Sequence, residues 1–113
     1  MAITIINLEE GMPLVDEAMR RLSHQMRMAT LRGERAVKLI HGYGSSGAGG
    51  KIKQATHKEL RMMKNAGKIK TFIEGENLTP FSENCRKALD IYPALSKDKD
   101  FARGNPGISI VIL

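Results

Sequence analysis

The chain has 113 residues, a formal net charge of +6, 42% hydrophobic content and one cysteine, Cys85. This size favours one domain, residues 1–113, and the hydrophobic content excludes an intrinsically disordered chain. Without a signal peptide, an apolar run of roughly 20 residues or a second cysteine, the chain is expected to be cytoplasmic, free of membrane and disulfide, and monomeric by default.

The predicted elements alternate between strands and helices along the chain. Strands are predicted at residues 3–8, 35–41, 69–73 and 108–113. Helices are predicted at residues 13–33, 49–65 and 84–92. A mobile charged loop is expected at residues 96–100. The last strand is apolar on both faces, so we expect it to lie centrally in the sheet.

This order, β-α-β-α-β-(α)-β, indicates the α/β class. Two long helices with right-handed connections predict a two-layer sandwich on a mostly parallel or mixed four-stranded sheet. The first two strands should then be neighbours.

The net charge is concentrated in one segment. Residues 51–70 contain seven of the 18 basic residues and a single acidic residue, Glu59, so this segment accounts for the whole excess. It includes Lys51, Lys53 and Lys58. A local positive field of this kind attracts polyanions, although a solvated helix face gives the same pattern.

A glycine-rich loop connects the second strand to this basic helix. It reads His41, Gly42, Tyr43, Gly44, Ser45, Ser46, Gly47. Glycines permit close approach of a ligand to the backbone, and free N–H groups at a helix start favour phosphate. A P-loop is excluded, because Ser45 and Ile52 stand where glycine and a hydroxyl are required. A dinucleotide site stays open, since Gly42–Gly47 matches G-x-G-x-x-G, with Glu74 further on than usual.

The strand ending in His41-Gly42-x-Gly44-x-x-Gly47, followed by a basic helix, resembles the Smr (small MutS-related) domain. The glycine turn at residues 104–107 and the strand at 108–113 are similar to the end of that domain, whereas residues 75–100 look like an insertion. The resemblance implies a two-layer fold similar to the C-terminal domain of translation initiation factor 3. It also implies nucleic-acid binding and, in several members, DNA or RNA endonuclease activity.

One family motif is missing. Smr domains usually have L-D-x-H-G at the end of the first strand, with the Asp and His linked to nuclease function. Here Asn7 takes the place of the Asp, and Glu9 or Glu10 that of the His. His41 as acid or base, with Glu9 and Glu10 as base or as ligands of Mg²⁺ or Mn²⁺, forms the candidate catalytic set. No metal site is assigned.

The sequence therefore predicts a nucleic-acid-binding domain that holds phosphates through the loop, His41 and the basic helix. Strand cleavage is not favoured; if the chain is an enzyme, it is a phosphodiester endonuclease. Two alternatives stay open: a nucleotide- or dinucleotide-binding enzyme and a protein-interaction module. His24 and His57 lack partners at metal-ligand spacing and are assigned no role. Tyr43 could stack on a base or pack on the helix.

Overall fold

The computed structural model describes residues 3–43 and 49–113. Its four strands are β1 (Thr4–Asn7), β2 (Ala36–Ile40), β3 (Thr71–Glu74) and β4 (Ile108–Ile112). Its α-helices are α1 (Val15–Leu31), α2 (Gly49–Asn65) and α3 (Glu83–Ile91). Short 3-10 turns occupy Gly75–Asn77 and Pro93–Lys97. The predicted order of strands and helices is confirmed.

The four strands form one mixed sheet in the order β1-β2-β4-β3. β1 and β2 are parallel and are connected by the α1 crossover. β4 is antiparallel to both β2 and β3, so the last strand is central, as predicted. Ser109 of β4 lies opposite Leu39 on one side and Glu74 on the other.

Alternation of side chains along the strands gives the sheet two buried faces. Val37 and Leu39 join α1 and α2 in one core, which also contains Leu22 and Leu60. On the opposite face Ile110 is part of a second core. The residues that cover this second face come from β3, α3 and the turns beside it: Ile73, Leu78, Cys85, Ala88 and Leu95. The four-stranded α/β architecture is confirmed, and the segment 75–100 adds a short helical cover behind it.

One prediction about that segment is wrong. Residues 96–100 do not form a mobile charged loop, because Asp98 and Asp100 both form ion pairs with Lys38. Lys38 is central in β2 and only 2% exposed, and its Nζ lies 2.9 Å from Asp98 Oδ1. We call these three residues the Lys38 cluster. It ties the connection that precedes β4 to the middle of the sheet.

None of the helices in the described parts of the chain is long and apolar enough to cross a membrane.

Candidate functional site

The glycine-rich loop leaves the sheet beside the turn that precedes β4. The carbonyl oxygen of Gly107 accepts hydrogen bonds from the backbone N–H groups of His41 at 3.0 Å and Gly42 at 3.1 Å. Gly42 has a φ of 72°, in the left-handed region that side chains disfavour. The start of the loop is therefore fixed by the sheet. Gly44, Ser45, Ser46 and Gly47, which the sequence also assigns to the site, lie outside the described residues.

A carboxylate that follows β1 lies beside the start of the glycine-rich loop. Glu9 is half-buried, and its carboxylate lies so close to Gly42 that a Cβ built on that glycine would overlap it. Glu10 is exposed, and its backbone carbonyl accepts a hydrogen bond from Arg21 at 2.9 Å. Of the two predicted glutamates, the structure brings Glu9 to the loop and leaves the Glu10 side chain in solvent.

The His41 side chain is completely buried. Its Nδ1 lies 2.7 Å from the Gly42 carbonyl oxygen, and its Nε2 lies 2.9 Å from the Ser109 hydroxyl. Burial lowers the pKa of His41 from 6.5 to about 4, although the Gly42 carbonyl favours the protonated ring. At neutral pH the ring is therefore uncharged and carries one proton.

His57, to which the sequence assigns no role, belongs to this site. Its Nε2 lies 3.0 Å from the same Ser109 hydroxyl, and its Nδ1 lies 3.2 Å from Glu74 Oε1. The two imidazole rings are perpendicular, with centroids 5.2 Å apart. Burial lowers the pKa of His57, and the Glu74 carboxylate offsets part of that effect. The spacing of residues around His57 does not reveal this role, because its partners lie on β3 and β4 and not on its own helix.

Tyr43 lies at the start of the loop and is 56% exposed. Its Cδ1 atom lies beside Gly107, in the turn before β4. An exposed aromatic ring can stack on a nucleobase.

The predicted lysines separate into two groups. Lys53 is half-buried, and its Nζ bonds Glu76 at 2.8 Å, so its charge is neutralised within the protein. Lys51 and Lys58 are exposed. They belong to a row of exposed polar residues on one side of α2, hereafter the α2 stripe: Lys51, Gln54, Lys58, Arg61 and Asn65.

The α2 stripe follows from helical geometry, because steps of three and four residues stay on one side of a helix. It spans about 21 Å at the helical rise of about 1.5 Å per residue. Its first residue lies in the turn of α2 that follows the glycine-rich loop. Glu59 is off the stripe and lines a groove with Arg27 of α1. The stripe therefore presents three cations and two amides without an acidic side chain in the row.

Among residues 3–43 and 49–113, no group of three His, Cys, Asp or Glu side chains converges in a way that could hold a metal ion. Glu9 is the carboxylate that the structure places beside the loop, and one carboxylate does not form a protein-only cage for Mg²⁺ or Mn²⁺.

Replacing Gly42 with alanine tests the link between backbone and Glu9. We expect a stability loss of about 1–2 kcal/mol, because a side chain at positive φ is strained. Gly33→Ala is the matched control, since Gly33 has a φ of 75° and open space around its Cβ position. Both variants should lose similar stability in urea unfolding, because the Glu9 carboxylate can rotate away, but only Gly42→Ala should shift the NMR signals of Glu9. Unchanged Glu9 signals would contradict the contact.

The geometry defines a class: a mixed α/β sandwich in which a glycine-rich loop and a basic helix follow the same strand. The family model of the Smr domain matches residues 10–77, more than half of the chain, and the chain belongs to this family. Smr domains are in general nucleic-acid-binding domains, and some nick their substrate. No curated protein matches the chain.

A solved structure supports the fold. The chain is similar to the Smr domain of Thermus thermophilus MutS2, with a TM-score of 0.60 and 21% sequence identity over 98% of each chain. At this identity the likeness concerns the fold alone. It confirms the Smr-like architecture over nearly the whole length, including the part of the chain beyond residue 77.

Proposed function

We propose that this Smr domain binds the sugar-phosphate backbone of nucleic acid along the α2 stripe, with the glycine-rich loop at one end. The observation that carries the proposal is the stripe itself. Three exposed cations and two amides follow one side of α2 for about 21 Å, and the loop precedes its first turn.

The chemistry of the stripe fits a phosphate chain. Lysine and arginine neutralise phosphates and release bound counterions, while amides donate to phosphate oxygens without reading the base. Lys53 is excluded from this set, because Glu76 already neutralises it. Arg61 takes its place, a residue outside the predicted set of Lys51, Lys53 and Lys58. Recognition of this kind depends strongly on salt and weakly on sequence.

The loop contributes in a second way. Tyr43 offers an exposed aromatic ring for a base, and backbone N–H groups before a helix favour phosphate. We propose that Gly42, Tyr43 and the following residues 44–47 hold one phosphate and one base beside the start of the stripe. The proposal does not extend to strand cleavage, because the His41 ring is enclosed and the Glu10 side chain lies in solvent.

A salt titration with a matched charge control tests the proposal. Fluorescein-labelled single-stranded DNA, its duplex and the RNA counterparts are titrated with wild type and with Lys58→Gln/Arg61→Gln. We expect the affinity in low salt to fall on the order of ten-fold or more, and the salt slope to decrease by about 1 per lost phosphate contact. The control, Lys97→Gln/Lys99→Gln, removes two exposed lysines near the opposite face and should bind like wild type.

Three outcomes would contradict the proposal. Equal losses in both double variants would show a general effect of net charge. Binding that does not depend on salt would exclude a phosphate track. Tight binding of a dinucleotide that is unaffected by Lys58→Gln/Arg61→Gln would favour the nucleotide-binding enzyme instead.

A further inference from the structure

A continuous chain of hydrogen-bonding groups lies between the sheet and α2. It begins at Glu74 of β3, continues through His57 of α2 and Ser109 of β4, and reaches His41 after β2. The last contact joins His41 Nδ1 to the Gly42 carbonyl oxygen at 2.7 Å. Ser109 and His41 are fully buried and His57 is 8% exposed, so the middle of this chain is closed to solvent.

The proton positions of the His41 ring follow from its contact with a backbone carbonyl. The Gly42 carbonyl only accepts, so His41 Nδ1 must carry a proton. Since a neutral ring has one proton, His41 Nε2 is then an acceptor, and the Ser109 hydroxyl donates to it at 2.9 Å. The hydroxyl has a single proton, so Ser109 Oγ accepts from His57 Nε2 at 3.0 Å. This order leaves Nδ1 of the neutral His57 ring without a proton, so its 3.2 Å contact with Glu74 Oε1 becomes a hydrogen bond only when the ring is protonated.

We propose that Ser109 and His57 are positioning residues, which hold the His41 ring in its Nδ1–H form and thereby fix the Gly42 carbonyl at the start of the glycine-rich loop. Gly42 has positive φ and lies between this ring and the Glu9 carboxylate. The ring is therefore placed to hold Gly42 in this backbone conformation. Its effect on ligand affinity rests on the proposed function.

The same geometry separates His41 from a general acid or base. Both ring nitrogens are engaged within the protein, one with a carbonyl oxygen and one with Ser109. Ser109 is buried, so any effect of its replacement on nucleic-acid binding reaches the ligand through His41 and Gly42.

The wild-type protein itself provides the first test. Imidazole ¹⁵N shifts, measured at pH 7, should show a protonated Nδ1 and an unprotonated Nε2 for His41 and a protonated Nε2 for His57. His24, which is exposed on α1, serves as the internal reference. A His41 ring that is protonated at Nε2 would overturn the proposal without any variant having to fold.

Two variants then test the positioning role. Ser109→Ala should move the His41 ¹⁵N shifts toward a mixture of tautomers, shift the Gly42 amide and weaken binding to the labelled single strand about three- to ten-fold. Ser109→Thr keeps the hydroxyl and should restore the wild-type shifts. Unchanged His41 shifts in Ser109→Ala would overturn the inference. Absence of binding in wild type would overturn the proposed function, and the tautomer measurements would still decide this one.

Discussion

Replacing Lys38 with alanine is expected to lower the free energy of unfolding by about 3–5 kcal/mol, a large part of the stability of a domain of this size. The substitution leaves Asp98 and Asp100 without their cation in a place where their side chains are 9% and 14% exposed. Burial by itself would lower the pKa of Lys38, but the hydrogen bonds to Asp100 and Asp98 outweigh it and raise the pKa. Urea unfolding at neutral pH measures the loss.

Two further variants distinguish the loss of the ion pairs from the loss of side-chain volume. Lys38→Met/Asp98→Asn/Asp100→Asn removes every charge of the Lys38 cluster, and should recover most of the stability because no buried charge is left alone. Lys97→Ala removes a neighbouring exposed lysine and should change stability by less than about 0.5 kcal/mol. If Lys38→Ala were as mild as Lys97→Ala, the cluster would contribute nothing to the fold.

The second large effect is acid destabilisation well above the range in which carboxylates titrate. The unfolded chain binds a proton at His41 near pH 6.5, whereas the folded chain does so only near pH 4. Stability therefore falls as the pH is lowered through this window, by about 2 kcal/mol between pH 7 and 5 from His41 alone. The lowered pKa of His57 acts in the same direction.

The charged groups around the His41 and His57 rings do not reverse the direction of this pH dependence of stability. Lys53 opposes protonation of both rings, while Glu76 favours it. The pKa of Glu76 is itself held below 4.5, since its bond to Lys53 outweighs burial, so its contribution is lost only at lower pH. Unfolding curves at several pH values measure the slope. His41→Asn should flatten it, whereas His24→Asn on the exposed side of α1 should leave it unchanged. An equal slope in both would refute the assignment to His41.

Much of the fold follows from the sequence because periodicity carries that information. The apolar residues of α1 recur at three- and four-residue steps, and Leu22 and Met26 are indeed buried. The apolar character of both faces of β4 predicts a central strand, which is confirmed. Because neighbouring parallel strands end at the same edge of a sheet, the pairing of β1 with β2 is enough to predict a glutamate beside the loop, and Glu9 lies there.

The missed features depend on contacts between distant parts of the chain. Lys38 looks like a solvent-facing strand residue in the sequence, because its partner Asp98 lies 60 positions later. His57 acquires a role only because Ser109 lies on the neighbouring strand. Helical spacing also predicts that Phe81 faces inward with Cys85, yet Phe81 is 92% exposed, because it precedes the first turn of α3 rather than lying on its buried side.

The central position of β4 also bears on how the chain folds as it is synthesised. β2 and β3 are not neighbours; each forms its ladder with residues 108–112. Because the ribosome makes a chain in the N- to C-terminal direction, the sheet cannot close until those residues emerge, although β1, α1 and β2 can already associate. Until then, the apolar side chains of β3 and α3 remain exposed to solvent, because β4 is not yet available to bury them. We therefore expect nascent chains stalled before residue 108 to depend on chaperones, and release of the last strand to complete folding in one cooperative step.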